Sequence, residues 1–183
     1  ALAALTLMGL TACGTSAPAD TTAATDTTAA ETTAAAGLDA DVQAIVDRGV
    51  LRVGVKNAVI GFGYQDPITG EYTGMEIDIA KALADQLGVD VEFTTVTAAT
   101  RTELLDSGDI DCVLATFTIT DERKQSWDFT TPYYTDHVTV LVEDSSGIKS
   151  LADLKDKLVG VSSGSTSARA LTAAMIDAGV IEG

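Results

Sequence analysis

Ile110-Asp111-Cys112-Val113-Leu114-Ala115, followed at once by Thr116-Phe117-Thr118-Ile119-Thr120-Asp121-Glu122-Arg123-Lys124, is the stretch whose reading decides the fold. The apolar run has the length of a central strand, and a strand covered on both faces belongs to a parallel sheet flanked by helices. Upstream, Arg101 to Ser107 reads as a short helix closed at Gly108, and Val89 to Val96 as a strand in which Val89, Val91 and Phe93 alternate with Asp90 and Glu92. Thr73 and Glu76 have capping-box spacing and predict a helix to Leu87, with Ile79, Ala80, Leu83 and Leu87 on its inner face. Asp66-Pro67-Ile68-Thr69-Gly70 is a turn by its chemistry, and Leu51 to Val55 is a strand preceded by a helix over Asp39 to Arg48. Downstream, a helical turn spans Asp121 to Trp127, strands are expected at His137 to Val142 and Val159 to Val161, and Ser150 with Asp153 caps a short helix. A last helix covers Ser165 to Ala178. The alternation is β-α-β-α-β, the signature of an α/β protein.

Composition narrows the function. Lys and Arg number 11 against 27 Asp and Glu in 183 residues, a formal charge of −16 that repels a polyanion and argues against nucleic acid as a partner. Cys13 and Cys112 lie far apart with one histidine, His137, so they assemble neither a disulfide framework nor a metal cluster. Cys112 sits among Ile110, Val113 and Leu114, the setting of an idle buried thiol.

The first residues form their own unit. Ala1 to Leu10 is apolar and uncharged but only about half the roughly 20 residues that span a bilayer, so it reads as the apolar part of a signal peptide. Leu10-Thr11-Ala12-Cys13 resembles the lipobox of bacterial lipoproteins, which implies a diacylated Cys13 anchored to the cell membrane outside the cytoplasm. Gly14 to Gly37 is mostly Thr and Ala without a large apolar side chain, the composition of a solvated tether. The chain is expected to be cut at both ends, since no basic segment precedes Ala1 and the elements stop one helix into a second sheet.

Leu51 to Lys56, Gly74 to Lys81, Ala115 to Lys124, Asp128 to Tyr134 and Ile148 to Lys155 occur in an order that resembles the solute-binding proteins of amino-acid ABC transporters, family 3 of the periplasmic-type binders. The resemblance implies two α/β lobes with a ligand clamped between them, the first lobe over residues 38–136 and a hinge with the start of the second over 137–183. It implies no catalysis and no cofactor, and it brings in a membrane permease and its ATPase subunit as partners. Thr118-Ile119-Thr120-Asp121-Glu122-Arg123 matches the family motif whose arginine grips the ligand α-carboxylate, assigning that role to Arg123, and a guanidinium suits it through paired hydrogen bonds. Hydroxyls at Thr116 and Thr118, beside Phe117, are expected to face the cleft. Ser165 and Thr166 open a helix whose N–H groups favour a carboxylate, or simply cap it.

Thr97 to Gly108, read with Lys56, looks like the aspartate/glutamate branch, in which cations at Lys56 and Arg101 meet the side-chain carboxylate. Taken alone, cations such as Lys56 and Arg101 more often face solvent. Phe62 and Tyr64 supply a wall to the ligand or pack their loop. Glutamate or aspartate is therefore the expected ligand, with glutamine or another polar amino acid as the near alternative. An enzyme of the cyclohexadienyl dehydratase type on the same fold, or a sensory module, follows as a more distant one.

Overall fold

The structure, a computed structural model, describes residues 38–183; the apolar leader, Cys13 and the Thr/Ala tether lie outside the described residues. Strand β1 (Val50–Val55) is the centre of a three-stranded parallel sheet, with β5 (Asp90–Thr95) on one side and β6 (Cys112–Leu114) on the other. Between β1 and β5 the chain folds a small antiparallel sheet of β2 (Ala58–Val59), β3 (Gly63–Gln65) and β4 (Tyr72–Thr73), which the sequence reading did not anticipate. Helices α1 (Ala40–Arg48), α2 (Met75–Leu87) and α3 (Arg101–Asp106) complete this part, and α4 (Ser167–Asp177) follows near the end.

Alternation along β1 builds two half-cores. Leu51, Val53 and Val55 point to one face, where Ile77, Ala80 and Ala84 of α2 bury against them. Gly54 leaves room on the other face for Ile110 and Val96, which pack with Ala115 and with Leu104 and Leu105 of α3. Of the expected inner stripe of α2, Ala80 is buried and Ile79 and Leu87 pack against the core, but Leu83 is 40% exposed, and Ile77 and Ala84 are buried as well. Two alanines let the helix approach the sheet closely, and burial of Ile77 contributes about 2–3 kcal/mol. The capping box expected at Thr73 and Glu76 is absent. Gly74 is the N-cap at φ 123°, where a side chain would strike the Phe62 carbonyl, and Glu76 turns into the interior.

The expected strands at His137 to Val142 and Val159 to Val161 do not form: both segments run without ladder partners among the described residues, and Val138 and Leu141 are exposed. Apolar alternation supplies a face for a strand, but only a hydrogen-bonded neighbour makes one. The helical turns at 121–127 and 151–154 are 3-10 turns, Arg123–Gln125 and Leu151–Leu154, and the second does carry the Ser150–Asp153 capping box.

Asp111 locks β1 to the start of β6. One carboxylate oxygen accepts the Arg52 backbone N–H at 2.8 Å, the other accepts from the Arg52 guanidinium at 2.8 Å, and Arg48 pairs with the same group. Burial opposes ionisation of Asp111, but the bonds from Arg52 and the charge of Arg48 outweigh it and hold the carboxyl below the usual range. A depressed folded pKa contributes stability that is complete above the unfolded value of about 3.9 and disappears as pH falls through the folded one. Asp111→Asn is expected to cost about 1–3 kcal/mol at neutral pH. In denaturant titrations, the difference from the parent should vanish as the acid limb is descended.

Candidate functional site

The carboxyl ends of parallel strands point to one edge of the sheet, and in open α/β sheets that edge is where ligands bind. Here β1 runs into Lys56 and β6 into Ala115 and Thr116, while α2 and α3 bring Glu76 and Arg101 to the same edge from their first turns. Thr116 is the turning point. It has φ 48°, one of two non-glycine residues with positive φ among those described. Such a conformation costs a β-branched residue about 1–3 kcal/mol and persists only where its surroundings enforce it.

Arg101 and Glu76 supply the enforcement. The Arg101 guanidinium donates through Nη1 to the carbonyls of Ala115 at 2.8 Å and Thr116 at 3.2 Å, and the residue is only 2% exposed. Its pKa is lowered to about 10 by burial, then by Arg123, so it stays charged at neutral pH. Glu76 is completely buried and accepts from the Thr116 N–H at 2.6 Å and the Tyr133 hydroxyl at 2.7 Å. A carboxylate tolerates this position because the first turn of α2 offers the positive end of the helix dipole and its two donors. Burial and the Glu76 bond push the Tyr133 hydroxyl well above its ordinary range, so it remains a donor. Lys56 is half-buried beside this group, its pKa lowered by desolvation and by Arg101 and raised in part by Glu76.

Phe117 carries two cations. The guanidinium carbons of Arg101 and Arg123 lie 3.9 Å and 4.5 Å from its ring centroid. Phe129 packs on the same ring at 5.2 Å. Arg123 donates to the Thr118 carbonyl at 2.7 Å and to the Gly164 carbonyl at 3.0 Å. Among the described residues neither arginine has a carboxylate within ion-pair distance. Opposite Arg123, the Thr166 hydroxyl reaches that of Thr118 at 3.5 Å and Ser165 accepts the Ser167 N–H at 3.3 Å. Arg169 of α4 binds Glu122 at 2.6 Å, tying the later segment to the 3-10 turn.

Sequence reasoning placed Lys56, Phe62, Arg101, Thr116, Phe117, Thr118, Arg123, Ser165 and Thr166 at a site, and the structure sets all nine at or beside this edge. Phe62 meets Tyr134 edge to face at 4.9 Å, and its carbonyl accepts the Glu76 N–H. Arg101 differs from expectation in orientation, since its polar atoms are turned to backbone carbonyls under the Phe117 ring and not to an open cleft. Glu76 and Tyr133 were missed. A carboxylate flanked by Met75 and Ile77, with Asp78 in the same first turn, was the available signal, and the capping reading absorbed it. Cys112 is chemically quiet, its thiol raised to about 11 by burial. Among the described residues no group of side chains could hold a metal, and no helix is long and apolar enough to cross a membrane.

Residues 51–179 match the profile of the bacterial extracellular solute-binding proteins, family 3. A glutamine-binding protein of Geobacillus stearothermophilus is 39% identical over 145 residues, 77% of this chain and 55% of that protein. The ABC transporter glutamine-binding protein of Bacillus subtilis (strain 168) is 41% identical over 143 residues, 76% of this chain and 52% of its own length. The chain thus spans about half the length of the curated relatives it matches. Among solved structures, an ancestral amino-acid-binding protein described as a precursor of cyclohexadienyl dehydratase superimposes with a TM-score of 0.66 at 42% identity, covering 72% of this chain and 60% of that one.

The loop at Gly164 touches the rim of the sheet edge. Gly164 has φ 75°, and a Cβ there would lie 2.5 Å from the Ala98 carbonyl oxygen. Gly164→Ala is therefore expected to push the 162–166 loop off the rim. Hydrogen exchange at the amides of Ala98 to Arg101 should rise while Val53 and Val55 stay protected; unchanged exchange would contradict this contact.

Proposed function

The chain belongs to the bacterial extracellular solute-binding proteins of family 3, and on that premise we propose that it captures an amino acid outside the cytoplasm for an ABC importer. The observation that carries the reading is the pair of guanidinium groups on Phe117, neither of which has a carboxylate within ion-pair distance among the described residues. A zwitterionic ligand brings that carboxylate. Arg123 takes it with two parallel hydrogen bonds, exchanging the weaker Gly164 carbonyl for a charged acceptor. The hydroxyls of Thr116, Thr118 and Thr166 complete the polar lining, and Phe62 with Tyr134 forms the apolar wall.

Glutamine is the first ligand we assign. Lys56 stands at the end of β1 as a donor to a side-chain carbonyl oxygen, and the Geobacillus and Bacillus relatives are glutamine binders by name. Glutamate or aspartate is the second reading, favoured by the positive surplus of Lys56, Arg101 and Arg123 over the single carboxylate of Glu76. The burial of Arg101 moves it from direct contact with the ligand side chain to support of the strand end, which is why the neutral ligand stands first. Residues 38–136 serve as a first lobe and 137–183 as hinge and beginning of a second, with Cys13 as lipid anchor and 14–37 as tether. Permease and ATPase subunit are the partners this role requires.

Calorimetry with glutamine, glutamate, aspartate, arginine and cystine tests the assignment. Glutamine is expected to bind tightest; a preference for glutamate by about tenfold or more, 1.4 kcal/mol, would transfer it to the second reading. Arg123→Ala should cost about 2–5 kcal/mol of binding for every amino acid that binds. The bound amino acid should be recovered unchanged, whereas product formed from prephenate or arogenate would favour a dehydratase. In cells making the precursor, Cys13→Ser should move the protein from the detergent phase to the aqueous phase of a Triton X-114 partition.

A further inference from the structure

One oxygen of one carboxylate joins the ligand-facing strand end to the segment that leads away from the sheet. Glu76 Oε1 accepts both the Thr116 N–H, at 2.6 Å, and the Tyr133 hydroxyl, at 2.7 Å. These donors are far apart in the chain. Thr116 is held at φ 48°, while its carbonyl and that of Ala115 are clasped from the other side by Arg101. The backbone that carries Glu76 is itself anchored, because the Glu76 N–H donates to the Phe62 carbonyl and the Met75 N–H to that of Gly61. Glu76 Oε2 and Arg101 Nε, both buried, have no hydrogen-bond partner among the described residues. Buried polar atoms left unpaired are costly, so packing elsewhere must hold both side chains in these poses.

We propose that Glu76 is the positioning residue of the cleft, acting through Thr116 and Tyr133: it holds Thr116 in the left-handed conformation that presents Thr116 to Thr118 to the ligand, and it pins the outgoing segment to the same atom. The strand end and the outgoing segment then share one pivot. Tyr133 cannot swing outward without releasing an acceptor that also orders Thr116, so ligand contact and displacement of the later segment are coupled through a single oxygen. A coupling of this kind needs two arrangements that the ligand distinguishes, and the Thr116 backbone supplies the difference, strained when tethered and relaxed when released. The affinity consequences rest on the amino-acid reading above; the backbone consequences do not.

Two measurements on the full chain decide the matter. In the ligand-free protein, Glu76→Ala should speed hydrogen exchange at the Thr116 amide by about tenfold or more with the Val53 and Val55 amides unchanged, while Glu76→Gln, which keeps an acceptor oxygen, should stay within about threefold of the parent. Unchanged exchange at Thr116 in Glu76→Ala would overturn the proposal whatever the ligand. With glutamine as probe, Glu76→Ala should weaken binding about tenfold alone but only about threefold when introduced on top of Thr116→Gly, because glycine adopts a positive φ without a tether. Equal losses in both backgrounds would reduce Glu76 to a packing residue. If Glu76→Ala does not fold, Tyr133→Phe carries the test, with glutamine dissociating about threefold faster as the expected result and an unchanged dissociation rate as the refuting one. Absence of glutamine binding in the parent protein would remove the ligand assignment and leave the exchange result to judge Glu76.

Discussion

The chain leaving β6 has to turn sharply at Thr116, and the cleft is organised around that turn. Threonine resists positive φ, so the backbone is gripped from both sides, by a carboxylate on the N–H and by a guanidinium on the carbonyls. Both gripping side chains are buried. The first turn of α2 and two donors favour a carboxylate at Glu76, whereas Arg101, at the unfavourable end of α3 for a cation, is compensated by two carbonyl acceptors and by the nearby Glu76. The interaction that shapes the backbone is therefore also the one that sets the electrostatics of the edge.

The second consequence is a surplus of positive charge in a strongly acidic molecule. Arg101 and Arg123 meet on the Phe117 ring, whose face is attractive to cations, and Lys56 stands close by with part of its solvation already lost. Mutual repulsion among them is held in check by covalent placement on rigid elements. On the proposed reading, a carboxylate entering this edge would relieve repulsion as well as make hydrogen bonds.

Beyond Tyr134 the structure has a different character. Segments 137–142 and 159–161 are rich in apolar residues but unpaired among the described residues, while α4 and the capped 3-10 turn at Leu151–Leu154 are formed locally. Helical turns close their hydrogen bonds within a few residues. Strands depend on a neighbour far away in sequence, so the same quality of local pattern yields an element in one case and none in the other.

That contrast explains what was legible. The helix at 40–48, the parallel strands at 50–55, 90–95 and 112–114 and the turn at Asp66 to Gly70 were readable because their periodicities and stop residues are local. The family motif through Arg123 was readable for the same reason. The small sheet of β2 to β4 was not, since its strands are only two or three residues long and carry no period. Nor was the inward turn of Glu76, whose spacing from Thr73 mimics a capping box. By itself the sequence determined an α/β layering and the set of polar and cationic residues gathered at one sheet edge. Only the tertiary structure decided that Arg101 supports the backbone and that Glu76 and Tyr133 belong to the site, because those roles depend on donors and acceptors brought together from distant parts of the chain, and no local pattern records such meetings.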